Sequence, residues 1–248
     1  MDPDGVRLAL ARRTGFAAPG AAPGAALEGP RNAVLASISS SYFRLRRGLA
    51  VLALALPLVL WLGADPARLQ GSISAYYHFA PDHVAYGGGT MRDVFIGALW
   101  TIGAFLFFYR GYSRAEDRAL NVAGLAAVTL SLCPMDWPAG SATTPTGIAH
   151  QVAGFGFFAA IAYVALFRAR DTLVLLPAEA QRRFALIYRI LGGLMIVLPL
   201  IVTALHVVTA PSAGRNVMLW AIEVGAITTF AAFWLTKSRE IAAIERGR

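Results

Sequence analysis

The sequence has little charge: Asp, Glu, Lys and Arg make up 15% of its 248 residues, whereas 57% are hydrophobic. Soluble domains carry roughly a quarter charged residues, so this composition argues against a soluble globular domain. The single cysteine, Cys133, excludes an intrachain disulfide and a cluster of thiolate metal ligands. No signal peptide is apparent in the first 47 residues, so the first hydrophobic run is expected to insert as an anchor.

Long apolar runs fill most of the remaining chain. A membrane-spanning helix needs about 20 mostly apolar residues, and several segments approach that length without an internal Lys or Arg. We therefore predict an all-α, polytopic transmembrane helix bundle with six spans in residues 48–237. The predicted spans are Leu49–Ala64, Val94–Tyr109, Ala119–Met135, Ile148–Phe167, Leu186–Thr209 and Val217–Thr236.

The basic residues predict the orientation of the bundle. All but three of the 22 Lys and Arg residues lie in the N-terminal tail, the second and fourth connections, and the C-terminal tail. Cytoplasmic flanks collect Lys and Arg, so both termini are expected in the cytoplasm, which requires an even number of spans. The expected location is a plasma membrane, with the bacterial cytoplasmic membrane favoured. The net charge of +8 then reflects topology and contact with membrane lipid, and no nucleic-acid partner is expected.

The two ends of the chain are predicted to be cytoplasmic tails. Residues 16–30, rich in Ala, Pro and Gly, are expected to be disordered because they bury too little apolar surface to offset the entropy of ordering. The rest of residues 1–47 forms a basic juxtamembrane segment that either lies along the membrane surface or serves as a topogenic flank. Residues 238–248 form a short C-terminal tail.

The segment SISAYYHFAPDH, residues 72–83, lies in the longest connection on the predicted outer side. Ser74 and His78 are four residues apart, which on an α-helix places both side chains on one face. The tyrosines Tyr76, Tyr77 and Tyr86 suit the headgroup level of the membrane, where amphipathic rings settle. We predict a partly helical loop on the membrane surface that covers an outward-facing pocket.

Polar residues of four predicted helices share one depth. Asp93, Asp136, His150 and His206 each lie 17 or 18 residues from a basic residue at the opposite end of their span. That separation is about 26 Å along a helix, near the outer edge of a hydrocarbon core. Interfacial polar groups at helix ends carry little cost, so a structural role is an open alternative for each of the four.

Glu223 is placed about one turn deeper than this layer. A carboxyl inside an apolar run costs several kcal/mol to bury ionised, so it should face the bundle interior, be protonated or pair with a histidine or arginine. Such acids mark functional sites or tie helices together, and both readings are open.

Four sequence segments carry a resemblance to a group of uncharacterised bacterial six-helix membrane proteins. They are SISAYYH, MRDVFIGALWTIGAFLFFYRGYS, EDRALNVAGLAAVTLSLCP and IEVGAITTFAAFWLTKS, and the resemblance covers roughly residues 71–239. It implies a fold without an activity.

A distant and partial likeness connects the chain with the membrane hydrolase superfamily of alkaline ceramidases and progestin-receptor-like proteins. Their pattern is SxxxH, then Asp, then HxxxH in the last helix, and Ser74, His78 and Asp93 match its first parts in order. The HxxxH element has no counterpart, and only His150 and His206 could stand in for it. The likeness implies a membrane-embedded, metal-dependent hydrolase.

The leading hypothesis is therefore a membrane hydrolase acting on a lipid or other amphiphile, with zinc as the candidate metal. His78, Asp93, His150 and His206 form the ligand pool, Glu223 or Asp136 is the acid or base, and Ser74 is a candidate catalytic hydroxyl. A non-catalytic accessory subunit of a larger membrane complex is the alternative, with its contact surface made by Phe105, Phe107, Phe108, Trp220 and Trp234. A haem protein held by His150 and His206, and a transporter, rank lower.

Overall fold

The structure, a computed structural model, describes residues 25–67, 69–79, 89–138, 141–209 and 217–247. Within these ranges all regular secondary structure is helical and no strand occurs, which confirms the predicted all-α fold. The six long α-helices are α1 (Ala25–Gly63), α2 (Thr90–Phe108), α3 (Arg114–Leu132), α4 (Pro145–Tyr163), α5 (Ala178–Thr209) and α6 (Val217–Arg246). Three shorter elements are a 3-10 helix at Ser74–His78, a π-helical turn at Val164–Arg168 and a 3-10 helix at Ala169–Leu175.

The chain divides into two compact units, Met1–Arg46 and Arg47–Arg248. In the first unit, α1 is helical from Ala25 onward, so the last part of the segment expected to be disordered is ordered as helix. Alanine is the strongest helix former and is abundant there. The remainder of the predicted tail, residues 1–24, lies outside the described residues.

Five helical segments are long and apolar enough to cross a membrane by length and composition: Arg31–Gly63, Thr90–Phe108, Pro145–Leu175, Ala178–Leu205 and Val217–Arg246. Large apolar side chains such as Leu58, Val152 and Leu200 lie exposed on the outside of the bundle. An apolar exterior of this kind is typical of a membrane protein, because monomeric soluble proteins rarely expose large contiguous apolar patches.

Helix α3 covers the third predicted span but is less apolar than the other five. Its first turn carries Glu116 and Asp117, and the Ser113 hydroxyl caps the helix by accepting from the Glu116 N–H at 3.2 Å. Glu116 bends back to accept from the Tyr112 N–H at 2.9 Å, and burial raises the pKa of its carboxyl above the usual value. These contacts mark the start of α3 as a polar helix end, ahead of the apolar residues that follow Ala119.

Helices α2 and α3 approach each other most closely at a pair of glycines. A Cβ on Gly103 would lie 2.8 Å from the carbonyl oxygen of Gly124, and one on Gly124 would lie 2.6 Å from that of Gly103. Small residues at a helix interface allow the two backbones to approach this closely. The close packing of α2 against α3 therefore requires glycine at both positions.

The aromatic residues proposed as an accessory-subunit surface are mostly used inside the bundle. Trp234 is buried and packs against Phe105 at a ring separation of 5.6 Å, while Trp220 packs edge-on against Trp61 at 6.3 Å. Only Phe107 and Phe108 of the proposed set are strongly exposed, at 50% and 78%. Among the residues named for an accessory-subunit contact, Phe107 and Phe108 are therefore the ones available on the surface.

A buried ion pair joins the C-terminal half of α6 to the connection between α4 and α5. Lys237 Nζ donates to Glu240 Oε2 at 3.1 Å and to Thr172 Oγ1 at 2.7 Å, and the Thr172 and Tyr188 hydroxyls both donate to Glu240. The ammonium also lies 5.2 Å from the centroid of the Tyr112 ring. The cluster consists of Lys237, Glu240, Thr172, Tyr188 and Tyr112.

This cluster includes Glu240, which lies in residues 238–248, the segment predicted as a cytoplasmic tail. Helix α6 continues to Arg246, and Ser238, Glu240 and Ile244 are buried. Within this segment Glu240 accepts four hydrogen bonds from three side chains, those of Lys237, Thr172 and Tyr188.

Substitution of Gly103 by alanine is expected to destabilise the fold, because the added methyl group meets backbone rather than a flexible side chain. Overpacking of this kind costs about 1–3 kcal/mol. Gly97→Ala on the same helix is the matched control, since its Cβ meets no atom within 4 Å. Thermal unfolding in detergent should show a lower midpoint for Gly103→Ala than for Gly97→Ala, and equal midpoints would contradict the close packing.

Replacing Lys237 by methionine is expected to lower the free energy of unfolding by about 3–5 kcal/mol, because the Glu240 carboxylate stays buried without its cation. Adding Glu240→Gln should restore part of the loss, since no net charge then remains buried. Chemical unfolding of the wild type, both single variants and the double variant measures this coupling. If the two losses simply add, the ion pair is not the element that stabilises this end.

Candidate functional site

A cavity of about 300 Å³ lies in the second unit and is bordered by all six helices and by the segment Gly71–Ala75. Most of its wall is apolar, with side chains that include Leu56, Phe95, Phe157, Pro199 and Phe230. The volume is at the lower end of the range of about 300–1,000 Å³ found for small-molecule sites. Four side chains that can act as a nucleophile, an acid or a base also line it: Ser74, Asp136, His150 and Glu223.

Ser74 and His150 form a hydrogen-bonded pair on the cavity wall. His150 Nδ1 lies 2.7 Å from the carbonyl oxygen of Cys133, which only accepts, so Nδ1 carries the hydrogen and donates it. In the neutral imidazole Nε2 is then the acceptor, and it lies 3.0 Å from the Ser74 hydroxyl. The Ser74 hydroxyl therefore donates to His150, which is the arrangement of a nucleophile next to its general base.

The segment that presents Ser74 is anchored on both sides of that residue. Ile73 and Tyr76 are buried in an apolar cluster with Leu60, Met91 and Phe95. Burial raises the pKa of the Tyr76 phenol, so the ring stays neutral in this cluster. The Tyr76 ring, which the sequence predicted at the headgroup level, is therefore packed among protein side chains.

Glu223 holds the same segment from α6. Its Oε2 accepts from the Ile73 N–H at 2.6 Å, one residue before Ser74. Within the described residues no Lys or Arg forms an ion pair with this carboxyl. Glu223 faces the bundle interior, as the cost of burying a carboxyl requires, and joins α6 to the segment that carries the hydroxyl.

Asp136 lies at the beginning of α4. Its Oδ1 accepts from the Thr144 N–H at 3.2 Å and from the Thr144 hydroxyl, and the Thr144 Oγ1 accepts from the Gly147 N–H at 3.1 Å. The carboxylate packs directly against Gly147, where a Cβ would collide with it. A negative charge at a helix N-terminus is favourable, so Asp136 supports the position of the helix that carries His150.

His78 bonds a backbone carbonyl rather than joining the Ser74–His150 pair. The segment Ser74–His78 is a 3-10 helix, in which residues four apart do not share a face, so the prediction based on α-helical spacing does not hold. His78 Nε2 lies 3.0 Å from the carbonyl oxygen of Met135, and the ring stacks on Trp137 at 5.5 Å. His78 thereby ties the Ser74 segment to the end of α3.

The other predicted ligands are not brought together with His150. Asp93 lies at the start of α2 with 72% of its side chain exposed, beside Arg92 at 3.6 Å, and does not line the cavity. The backbone of His206 is in α5, but its side chain lies outside the described residues, as does all of His83 and Tyr86. Among the side chains that the structure describes, no three His, Cys, Asp or Glu groups are placed to hold a metal ion.

Sequence reasoning missed the two elements that make the site specific. The Ser74–His150 pair joins residues 76 positions apart, and no spacing motif records such a contact. The group that orients His150 is the backbone carbonyl of Cys133, which any residue type could supply. Counting along the helices put Asp136 and His150 in one predicted layer with Asp93 and His206, and Glu223 about one turn deeper; of these residues, Asp136, His150 and Glu223 line the cavity.

Comparisons of the chain with protein-family models, curated proteins and solved structures found no match. The two resemblances described above therefore stay predictions, and a functional argument has to start from the geometry of the cavity.

Replacement of Glu223 is expected to change the protection of the Ile73 amide. Glu223→Leu removes the acceptor of the Ile73 N–H, so hydrogen exchange of the peptide containing Ile73 should become faster. Glu223→Gln keeps an amide oxygen that can accept the same bond, and exchange should stay close to the wild-type rate. Hydrogen-exchange mass spectrometry in detergent tests this. Equal rates in all three proteins would contradict a role for Glu223 in holding the segment.

Proposed function

We propose that the chain is a six-span integral membrane hydrolase, with both termini in the cytoplasm, that acts on a lipid or other amphiphile through Ser74 and His150. The sixth span is α3, whose Val122, Leu125 and Leu132 are exposed in the manner of lipid-facing residues. The distribution of Lys and Arg supports the orientation. The cavity is then expected to lie toward the outer side of a bacterial cytoplasmic membrane.

The single observation that carries the hydrolase proposal is the Cys133 O···His150···Ser74 chain of hydrogen bonds. In the proposed first step the Ser74 Oγ attacks the carbonyl carbon of an ester or amide, and its proton moves to His150 Nε2. Collapse of the tetrahedral intermediate breaks the bond to the leaving alcohol or amine, which takes that proton. Water then attacks the acyl group on Ser74, again with His150 as base, and releases a carboxylic acid.

The shape of the wall supports an amphiphilic substrate. The polar groups Ser74, Asp136 and His150 lie among apolar residues from every helix, including Leu99 and Phe158. An apolar chain can pack against the aromatic and aliphatic wall while the scissile group reaches the hydroxyl. Gln151, which also lines the cavity, is the neutral amide available to donate to a developing oxyanion.

Zinc, which the distant superfamily likeness implies, is not given a step in this proposal. Both ring nitrogens of His150 are hydrogen-bonded to protein groups. The described side chains include no group of three His, Cys, Asp or Glu residues placed to bind a metal ion. Ligation of zinc by His150 would require release of Ser74 or Cys133. The proposed chemistry is carried by the hydroxyl, the imidazole and water.

Ser74 is expected to react with a long-chain fluorophosphonate, which labels serine hydroxyls that are activated by a base. Ser74→Ala and His150→Ala should each lose the label, because one lacks the nucleophile and the other lacks the base. The expected loss is at least about 100-fold in labelling rate. Ser131→Ala is the control, since this buried serine bonds the Val128 carbonyl at 2.7 Å and does not line the cavity.

Intact-protein mass spectrometry would quantify the label, and metal analysis of the same sample would test zinc. Labelling that survives a chelator supports the serine mechanism. An unlabelled wild-type protein would overturn it. That result would favour the alternative function, a non-catalytic accessory subunit, with Phe107 and Phe108 as its exposed aromatic contacts.

A further inference from the structure

The ionisable side chains in the described lining of the cavity are two acidic groups and one histidine. Its described lining includes the carboxyl groups of Asp136 and Glu223 but no Lys or Arg, although the whole chain carries a net charge of +8. His150 Nδ1 donates to the Cys133 carbonyl, and in the neutral imidazole Nε2 accepts from the Ser74 hydroxyl. A ligand with a phosphate or carboxylate would thus meet two acidic groups and no cation.

Glu223 has acceptor capacity that the protein does not use. The Ile73 N–H supplies one donor at 2.6 Å, whereas a carboxylate offers about four acceptor positions. The neighbouring wall is apolar and includes Leu219, Ile227 and Phe230. A carboxylate in such surroundings is stabilised most effectively by a cation that enters the cavity.

Aromatic rings provide the second part of a cation site. The rings on the cavity wall belong to Phe95, Trp137, Phe155, Phe157, Phe158 and Phe230. Aromatic faces attract ammonium groups, and a carboxylate surrounded by such rings is a common arrangement for binding them. The same rings offer apolar contact to an alkyl chain.

We propose that the cavity binds a single-chain amphiphile that carries an ammonium group, with Glu223 as its counter-charge. The volume of about 300 Å³ favours one chain over a two-chain lipid. This inference deepens the proposed hydrolase by naming its substrate class, and it rests on that function only for the reaction that follows binding. Anionic amphiphiles are repelled, and neutral ones lack the ionic contact.

The test measures binding in the Ser74→Ala protein, which holds a ligand without turnover. Dodecylamine, dodecanol and dodecanoate share one chain length and differ in charge, and the amine is protonated near neutral pH, as lysine is. Isothermal titration in a non-ionic detergent should give the tightest binding for dodecylamine. The expected preference over dodecanol is about tenfold or more, equivalent to about 1.4 kcal/mol.

Adding Glu223→Gln should abolish the preference, because glutamine can still accept from Ile73 N–H but carries no charge. Glu245→Gln on the exposed end of the same helix is the matched control and should retain it. If the Glu223 variant does not accumulate, the order of affinity of the three ligands for the Ser74→Ala protein is the test: dodecylamine must bind most tightly.

Equal binding of amine and alcohol, tightest binding of dodecanoate, or no binding of dodecylamine would overturn the proposal. So would an unchanged amine preference in the Glu223→Gln protein. The hydrolase proposal fails separately, through absence of fluorophosphonate labelling. A chain that prefers the amine but is never labelled would therefore be an ammonium-binding protein without the proposed reaction.

Discussion

Polar groups inside an apolar helix bundle must find their partners on other segments of the same chain, because neither lipid nor an apolar core supplies them. The main polar contacts in the second unit obey this constraint. Ser74 meets His150, Glu223 meets the Ile73 N–H, and Glu240 meets the hydroxyls of Thr172 and Tyr188. The first two contacts bring a loop to α4 and α6, so the apolar character of the helices is what forces the loop into a defined position.

The two polar clusters differ in how completely they are satisfied, and this difference separates a structural element from a site. Around Glu240 both carboxylate oxygens receive donors from Lys237, and each receives a hydroxyl, from Thr172 or Tyr188. Glu223 is engaged by one backbone N–H and borders open volume. A ligand can therefore gain interactions at Glu223 that are already occupied at Glu240. The cluster around Glu240 therefore joins helices, whereas Glu223 lies where the proposed ligand would bind.

Much of the architecture was predictable because it depends on local composition. Apolar runs of spanning length predicted the helices, and six long α-helices are found in the described residues. The choice of side chains at the site depends on direction as well as depth. Asp93 has the predicted depth but sits at the exposed start of α2, whereas His150 at a similar depth faces the cavity. Counting residues from a basic belt gives height along a helix and leaves its rotation undetermined.

Local backbone geometry explains the other differences. Four-residue spacing pairs Ser74 with His78 only if the segment is an α-helix, and its 3-10 geometry separates them. That separation frees the Ser74 hydroxyl to meet a histidine from α4 instead. The tyrosine between them, Tyr76, turns into the core and supplies the anchor. A sequence pattern could not choose between these geometries, because packing against distant helices decides the matter.

The backbone carbonyl behind His150 has a consequence for the charge balance of the cavity. In a serine triad a carboxylate both orients the imidazole and offsets the charge of the imidazolium that forms. The Cys133 carbonyl orients His150 but carries only a partial charge. In the proposed reaction the imidazolium needs a full negative charge elsewhere on the wall, and the proposed ammonium ligand needs another. Asp136 and Glu223 are two carboxyl groups for two such positive charges. Asp136 precedes α4 in the chain and bonds Thr144 at the start of the helix that carries His150, whereas Glu223 lies on α6, so we assign Asp136 to the imidazolium and Glu223 to the ammonium group.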